Sequence, residues 1–259
     1  MNQQQKLIRR AAEELVKAKR VAAFTGAGIS VESGIPPFRG ENGIWNKYNP
    51  RFLEIEYFEA YPKICWENII KMFYDSIATA KPNPAHDVLA WMEKGGLAGF
   101  EAVITQNIDN LHNKAGSEVV WEFHGNSQRV ICMNCGEQND ADKIDLTKLP
   151  PRCGKCKGIL KPDFVFFGEA IPIEAGERSF WLAENVDVML VIGTTGEVMP
   201  ANMIPFVAKR TGALIIEINT AESIFSEKIT DIFLQGKATD IMLELKQILS
   251  LNSLAQEKN

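Results

Sequence analysis

Four of the five cysteines stand as two short pairs, Cys132-x2-Cys135 and Cys153-x2-Cys156, with 17 residues between them. A C-x2-C turn presents two thiolates to one point, and two such turns close the tetrahedral sulfur site that zinc adopts in structural roles. Two disulfides, or four unrelated core thiols, would use the same residues. Disulfides are disfavoured because residues 1–20 carry Lys, Arg and Glu in a helical pattern without an apolar leader, which implies a reducing cytoplasm. With sulfur in all four positions no site is left for water, so the ion would hold structure and the chemistry must lie elsewhere.

A second cluster is Gly26-Ala27-Gly28-Ile29-Ser30-Val31-Glu32-Ser33-Gly34, directly after the β-prone run Val21–Thr25. Gly26 and Gly28 would let backbone N–H groups approach a pyrophosphate, and the next helix would add its positive end. The third glycine comes at Gly34, later than in the usual dinucleotide fingerprint, and a ligand-free turn has the same spacing. Next comes Ile35-Pro36-Pro37-Phe38-Arg39-Gly40, where a ring and a guanidinium on a glycine-hinged loop suit a lid, although a surface turn would look alike. Thr105-Gln106-Asn107-Ile108-Asp109-Asn110-Leu111-His112 follows another short apolar run, at the end of a strand where open sheets bind ligands. Its amides can donate to and accept from a carboxamide such as nicotinamide, while Asp109 or Asn110 can also cap a helix to Lys114.

The chain has three histidines. His86 sits at a helix start as a local hydrogen-bonding residue, and His112 lies on the helix after the polar cluster as a structural one. His124 closes the apolar run Val119–Phe123 just before the cysteine segment, at the expected edge of a cleft, and is the candidate general base.

These residues need elements to hold them. Leu7, Ile8, Ala11, Ala12, Leu15 and Val16 have helical spacing over residues 3–18. Short apolar runs at Val21–Thr25, Ala102–Thr105, Val186–Ile192 and Leu214–Ile218 alternate with helical stretches at Pro84–Lys94, Glu174–Asn185 and Ala201–Arg210. That alternation predicts an α/β fold, a parallel sheet with helices on both faces. Residues 36–80, rich in Pro, aromatics and Asn, and 127–162, with the cysteines, break the rhythm. They read as insertions packing together as a smaller lobe: 36–80 helical, 127–162 zinc-binding, leaving 1–35, 81–126 and 163–259 as one discontinuous sheet domain. The polar end from about Ser253 is expected to fray. At 259 residues and 46% hydrophobic the chain can bury a large core, and no apolar run approaches the ~20 residues of a membrane span. Net charge of −5 argues against a nucleic-acid partner.

In this order, Gly26–Gly40, Thr105–His112, Phe123-His124-Gly125, the cysteine pairs, Pro162–Glu169, Gly193-Thr194-Thr195, Pro200-Ala201 and Ile218-Asn219 resemble the sirtuin family of NAD-dependent protein deacylases. The resemblance implies a Rossmann-like NAD-binding domain with an inserted zinc and helical lobe, one structural Zn2+, and NAD as co-substrate. It implies NAD contacts from Gly26, Ala27, Gly28, Ser30, Phe38, Arg39, Gln106, Asn107, Ile108, Asp109, Gly193, Thr194, Thr195, Asn219, Thr220 and Ala238. It further implies that the acyl oxygen of a modified lysine attacks C1′ of the nicotinamide ribose. His124, aided by Asn107, would then relay a proton from the ribose hydroxyls, giving free lysine, nicotinamide and O-acyl-ADP-ribose. The acyl-lysine peptide would enter as an added strand gripped by Val165, Phe166, Phe167, Gly168 and Glu169 on one side and Gly196–Val198 on the other.

Two departures from the family pattern matter. Pro37 replaces the Asp of I-P-D-F-R-G, removing a side-chain hydrogen bond from the lid. Ile69 and Met72 stand where relatives that take acidic acyl groups carry Tyr-x-x-Arg, so neutral acyl groups are expected, with Ile69, Met72 and Phe73 as an apolar wall. Rival readings are NAD hydrolysis or ADP-ribosyl transfer at the same site, and a non-catalytic NAD-sensing module.

Overall fold

The computed structural model describes residues 2–40 and 43–256, with side chains described as far as Leu251. Its main sheet is built from β1 (Val21–Thr25), β2 (Phe100–Thr105), β3 (Val120–Glu122), β7 (Val188–Ile192), β8 (Leu214–Asn219) and β9 (Ile232–Gln235). The six strands are parallel, in the order β3-β2-β1-β7-β8-β9. β1 and β7 are buried along their whole length, which is why they read as unbroken apolar runs rather than alternating ones. Val21 and Ala23 pack towards one face with α1 (Gln3–Lys17), α5 (Pro84–Trp91) and α9 (Ala238–Gln256). Ala22 and Phe24 pack towards the other with α7 (Ile173–Asn185) and α8 (Met203–Arg210).

The chain lays down β1, β2 and β3 on one side, then returns beside β1 and lays down β7, β8 and β9 on the other. The connections from β1 and β7 go on to helices on opposite faces of the sheet, and a crevice opens at this reversal of strand order, where doubly wound sheets bind nucleotides.

A second core lies outside this sheet. An antiparallel sheet of order β5-β4-β6 is formed by β4 (Gly125–Cys132), β5 (Gln138–Asp140) and β6 (Leu160–Phe164). Against it pack α2 (Ile55–Ala60), α3 (Pro62–Ile69) and α4 (Asp75–Thr79), the last two joined through a wide π-turn over Ile70–Tyr74. Trp66 fixes the contact: its side chain is fully buried and its Nε1–H donates to the Leu160 carbonyl at 2.8 Å. Val130, Leu160, Phe164 and Phe166 meet Trp66, Ile69, Met72 and Phe73 in one apolar cluster.

Some local expectations need correction. The glycine loop leads into a 3-10 helix over Ala27–Ser33 rather than a full α-helix. β9 is too short and isolated to stand out in sequence. α9 runs on through Ser253 to Gln256, so the segment expected to fray is helical to that point, and 257–259 lie outside the described residues. No helix among the described residues is long and apolar enough to cross a membrane.

Candidate active site

At the strand-order reversal, between the two cores, lies a cavity of about 620 Å³, the size of a cofactor or drug-sized ligand site. Its walls come from the loops after β1, β2, β7 and β8, the lid segment, and the stretch following β6. Gly26, Ala27, Gly28, Phe38, Arg39, Gln106, Asn107, Ile108, Gly193, Thr194, Thr195, Asn219, Thr220 and Ala238 line it, as do His124, Val165, Phe166, Phe167, Gly168, Glu169 and Val198. Ser30 and Asp109 do not line it. They lie behind the wall, where Ser30 Oγ donates to Asp109 Oδ2 at 2.7 Å and accepts from Asn107 Nδ2 at 3.2 Å. Asn107 Nδ2 also donates to the Gly26 carbonyl at 3.1 Å, so this buried pair holds the amide that does face the cavity.

The glycine loop works differently from the sequence expectation. Gly26 N–H donates to the Ile192 carbonyl at 3.0 Å and Gly28 N–H to the Gly193 carbonyl at 2.7 Å, so neither donor is free for a pyrophosphate. Glycine is required for another reason. A Cβ on Gly28 would sit 2.6 Å from Gly193 Cα, so the turns after β1 and β7 could not approach.

His124 is the site's only cavity-lining imidazole among the described residues. Its Nδ1 lies 3.1 Å from the Gln106 carbonyl, which can only accept, so Nδ1 carries the proton and Nε2 keeps its lone pair. Burial lowers the imidazole's pKa, and the Gln106 hydrogen bond opposes this. The ring is thus neutral at pH 7 and ready to accept a proton. The His124 carbonyl accepts from Val165 N–H at 2.9 Å, tying the base to the segment after β6.

His86 and His112 are buried structural residues. His86 Nδ1 accepts from Asn83 N–H at 3.3 Å at the start of α5, and His112 Nε2 meets Thr25 Oγ1 at 2.9 Å. Asp109 caps α6 (Leu111–Ala115), accepting from Leu111 N–H at 2.9 Å, while Asn110 takes the left-handed conformation (φ 64°) that asparagine tolerates. Burial raises the Asp109 pKa, against the Leu111 and Ser30 hydrogen bonds.

Burial also pushes the His86 pKa down to about 4. Below the unfolded value of about 6.5 the unfolded chain takes up a proton that the folded one refuses, so stability is complete above that pH and declines as pH falls towards about 4. The gap is worth about 3 kcal/mol. Denaturant midpoints measured from pH 7 to 4 should begin to fall near 6.5, and a midpoint flat down to pH 4.5 would rule this out.

The segment expected to form a lid is described over Ile35–Gly40 and again from Gly43 to Trp45, with left-handed glycines at Gly34 (φ 87°) and Gly40 (φ 93°). Phe38 packs on Trp45 at 5.4 Å and Phe73 at 6.0 Å, and Arg39 Nε pairs with Glu197 Oε2 at 2.9 Å across the cavity mouth. Pro37 keeps its place through its backbone: its carbonyl accepts from Ile44 N–H at 2.8 Å.

The expected acyl wall is only partly right. Phe73 lines the cavity, but Ile69 and Met72 are buried in the second core and do not. The π-turn over Ile70–Tyr74 breaks the 3.6-residue register on which the three would share a face. Trp45, Leu53 and Phe164, which sequence did not single out for this wall, complete it.

In the cysteine cluster the four Sγ atoms lie within 4.8 Å of one another, with Cys132–Cys156 at 3.4 Å and Cys135–Cys153 at 3.8 Å. Four sulfurs about 2.3 Å from a tetrahedral zinc stand about 3.8 Å apart, so the set fits one Zn2+. The Asn134 side chain and the Gly158 N–H hold the Cys156 thiol down to about 6, which favours the metal-binding thiolate. A Cβ on Gly158 would come within 2.9 Å of Cys132 Sγ. Cys65, the fifth cysteine, is buried in the second core, its pKa raised to about 11 by burial.

A doubly wound sheet with a cavity at its switch point, bordered by a second core that carries a four-thiolate cluster, defines a two-lobed dinucleotide-site protein. A family model described as Sir2 family matches residues 26–200, and the chain belongs to that family. It is 46% identical over 237 residues to an NAD-dependent protein deacylase of Pyrococcus furiosus, covering 89% of this chain and 93% of the relative. It is similar to a solved Sir2 homologue mutant in complex with ADP ribose, with a TM-score of 0.89, 34% identity and 98% of both chains covered. A Sir2–p53 peptide–NAD+ structure matches with a TM-score of 0.84 at 30% identity, over 95% of this chain and 99% of that one.

Proposed function

We propose that this protein is an NAD-dependent protein lysine deacylase that transfers neutral acyl groups from lysine to ADP-ribose with release of nicotinamide. The observation that carries this reading is His124, a neutral imidazole with its proton fixed on Nδ1 and its Nε2 free, in the wall of a dinucleotide-sized cavity. Two relatives named NAD-dependent protein deacylase, each 46% identical, support it.

The residues present fit NAD: amides at Gln106 and Asn107, hydroxyls at Thr194 and Thr195, and Asn219 beyond them surround one continuous space. When bound there, NAD supplies an electrophilic C1′ and a nicotinamide leaving group. The chain's own part is to align, dry and deprotonate. Asn107, held by Ser30 and the Gly26 carbonyl, presents an oriented amide at the base of the cavity. Phe38, Trp45 and Phe73 close an apolar wall that excludes water from the reacting end. His124 takes a ribose hydroxyl proton onto Nε2, and the resulting imidazolium is stabilised by the Gln106 carbonyl.

The acyl-lysine chain enters as an added strand between 165–169 and 196–198. Phe167 N–H and C=O are already paired with Leu53 and Ile55 at 2.7 and 3.0 Å, and Phe166 N–H and C=O are both taken by Glu169, so the peptide would pair with the segment at Gly168. Main-chain pairing of this kind selects little sequence. The activity belongs in a reducing cytoplasm, where the four thiolates stay available to metal.

Peptides carrying acetyl-, longer fatty acyl- and succinyl-lysine, assayed with NAD for nicotinamide and for acylated ADP-ribose, test the reading. Acetyl and fatty acyl substrates should turn over at least about tenfold faster than succinyl, because among the described residues no cation stands in the apolar wall of Phe38, Trp45, Leu53, Phe73 and Phe164 to pair its carboxylate. Equal turnover of succinyl-lysine would refute the neutral preference. Free ADP-ribose formed without peptide would point to NAD hydrolysis instead.

A further inference from the structure

Lys161 is a buried cation that does not line the cavity. Its side chain is 7% exposed, on β6, three residues before Phe164, where the stretch that lines the cavity begins. The ammonium donates to the Pro162 carbonyl at 2.8 Å and to the Phe164 carbonyl at 2.7 Å, and meets Glu169 Oε2 at 3.0 Å. It also stands 4.3 Å from the centroid of the Phe166 ring, which stacks on Phe164 at 5.2 Å. All three ammonium donors are therefore used. Glu169 Oε2 in turn accepts from Phe166 N–H at 2.8 Å, so the two charges clasp both ends of the stretch 164–169.

A lone buried ammonium is costly, and an apolar residue of equal length would fill the same volume without that cost. What an apolar residue could not do is hold two carbonyls and a carboxylate in fixed relative positions. The clasped stretch supplies Phe164, Val165, Phe166, Phe167, Gly168 and Glu169 to the cavity wall, and Val165 N–H binds the His124 carbonyl at 2.9 Å.

We propose that Lys161 is a positioning residue for the acyl-lysine chain, acting through Glu169 and the 164–169 backbone rather than by touching substrate. The proposal rests on the deacylase reading and assigns the peptide-side geometry of that site to one ion pair, with Lys161 buried and Glu169 partly exposed. NAD-side geometry is set by other elements, the loops after β1, β2, β7 and β8, which Lys161 does not reach. Loss of the clasp should therefore separate the two substrates kinetically.

The test is a double-mutant cycle of Lys161→Met and Glu169→Gln, with KM measured separately for an acetyl-lysine peptide and for NAD. In Lys161→Met, KM for peptide should rise about tenfold while KM for NAD, and the rise in melting temperature induced by ADP-ribose, change by less than about twofold. Because the pair acts as a unit, the double variant should be no worse than the more affected single one. Where Lys161→Met melts below the assay temperature, Lys161→Gln, which can still donate to a carbonyl, replaces it in the cycle. An unchanged peptide KM, a parallel rise in both KM values, or multiplying effects in the double variant would overturn the proposal. Wild-type protein that turns over no acyl-lysine peptide would instead overturn the deacylase reading itself.

Discussion

His124→Ala should cut turnover of an acyl-lysine peptide by about 10²–10⁴-fold while leaving NAD affinity within a few-fold. The imidazole contributes one cavity-wall face among many, so its removal takes little binding area. What it removes is the only cavity-lining imidazole among the described residues, its tautomer fixed by Nδ1–H bound to the Gln106 carbonyl at 3.1 Å. The pH profile adds an independent check. The neutral ring is the active form and burial lowers its pKa, so the rate should hold steady as pH drops to 6.5 and decline only below that value. His124→Ala should abolish that acid limb. A variant that keeps wild-type turnover would mean that some other group takes the proton.

Removing the metal should have a comparably large effect by another route. A structural four-thiolate zinc contributes about 10–16 kcal/mol of apparent folding free energy in small metal domains, as much as a whole domain's net stability. Here Cys132 and Cys153 are buried in the same core as Trp66, Phe73 and Phe164. A strong chelator, or Cys153→Ser, should melt the β4–β5–β6 sheet, remove the 164–169 wall and abolish turnover, while the parallel sheet keeps its own core of α1, α5 and α9 residues. Hydrogen exchange would show this as protection lost over β4–β6 and kept in β1 and β7. Stripped protein with unchanged melting temperature and activity would contradict a structural role for the ion.

What could be read from the chain alone was whatever depends on local pattern. β1 and β7 are unbroken apolar runs, so their existence and burial were legible, and the C-x2-C pairs announce their own geometry. Long-range pairings were not. Nothing in the Gly26-x-Gly28 spacing shows that both N–H groups are spent on β7 carbonyls, or that Gly193 is the neighbour demanding glycine. Arg39 with Glu197, and Lys161 with Glu169, join residues whose proximity only the fold creates. Ser30 and Asp109 belong to the right cluster but one layer behind the wall, a distinction of a few ångströms that periodicity cannot resolve. Ile69 and Met72 stand off the cavity wall because a π-turn over Ile70–Tyr74 interrupts the helix whose regular register would align them with Phe73.

The central claim is that His124 Nε2 faces the ribose of bound NAD. A crystal structure of the wild-type protein with a non-reactive NAD analogue and an acetyl-lysine peptide measures this directly. The account predicts Nε2 within about 3.2 Å of a ribose hydroxyl oxygen, or one bridging water away. An imidazole still turned from the sugar with both substrates in place, and no water linking them, would contradict it.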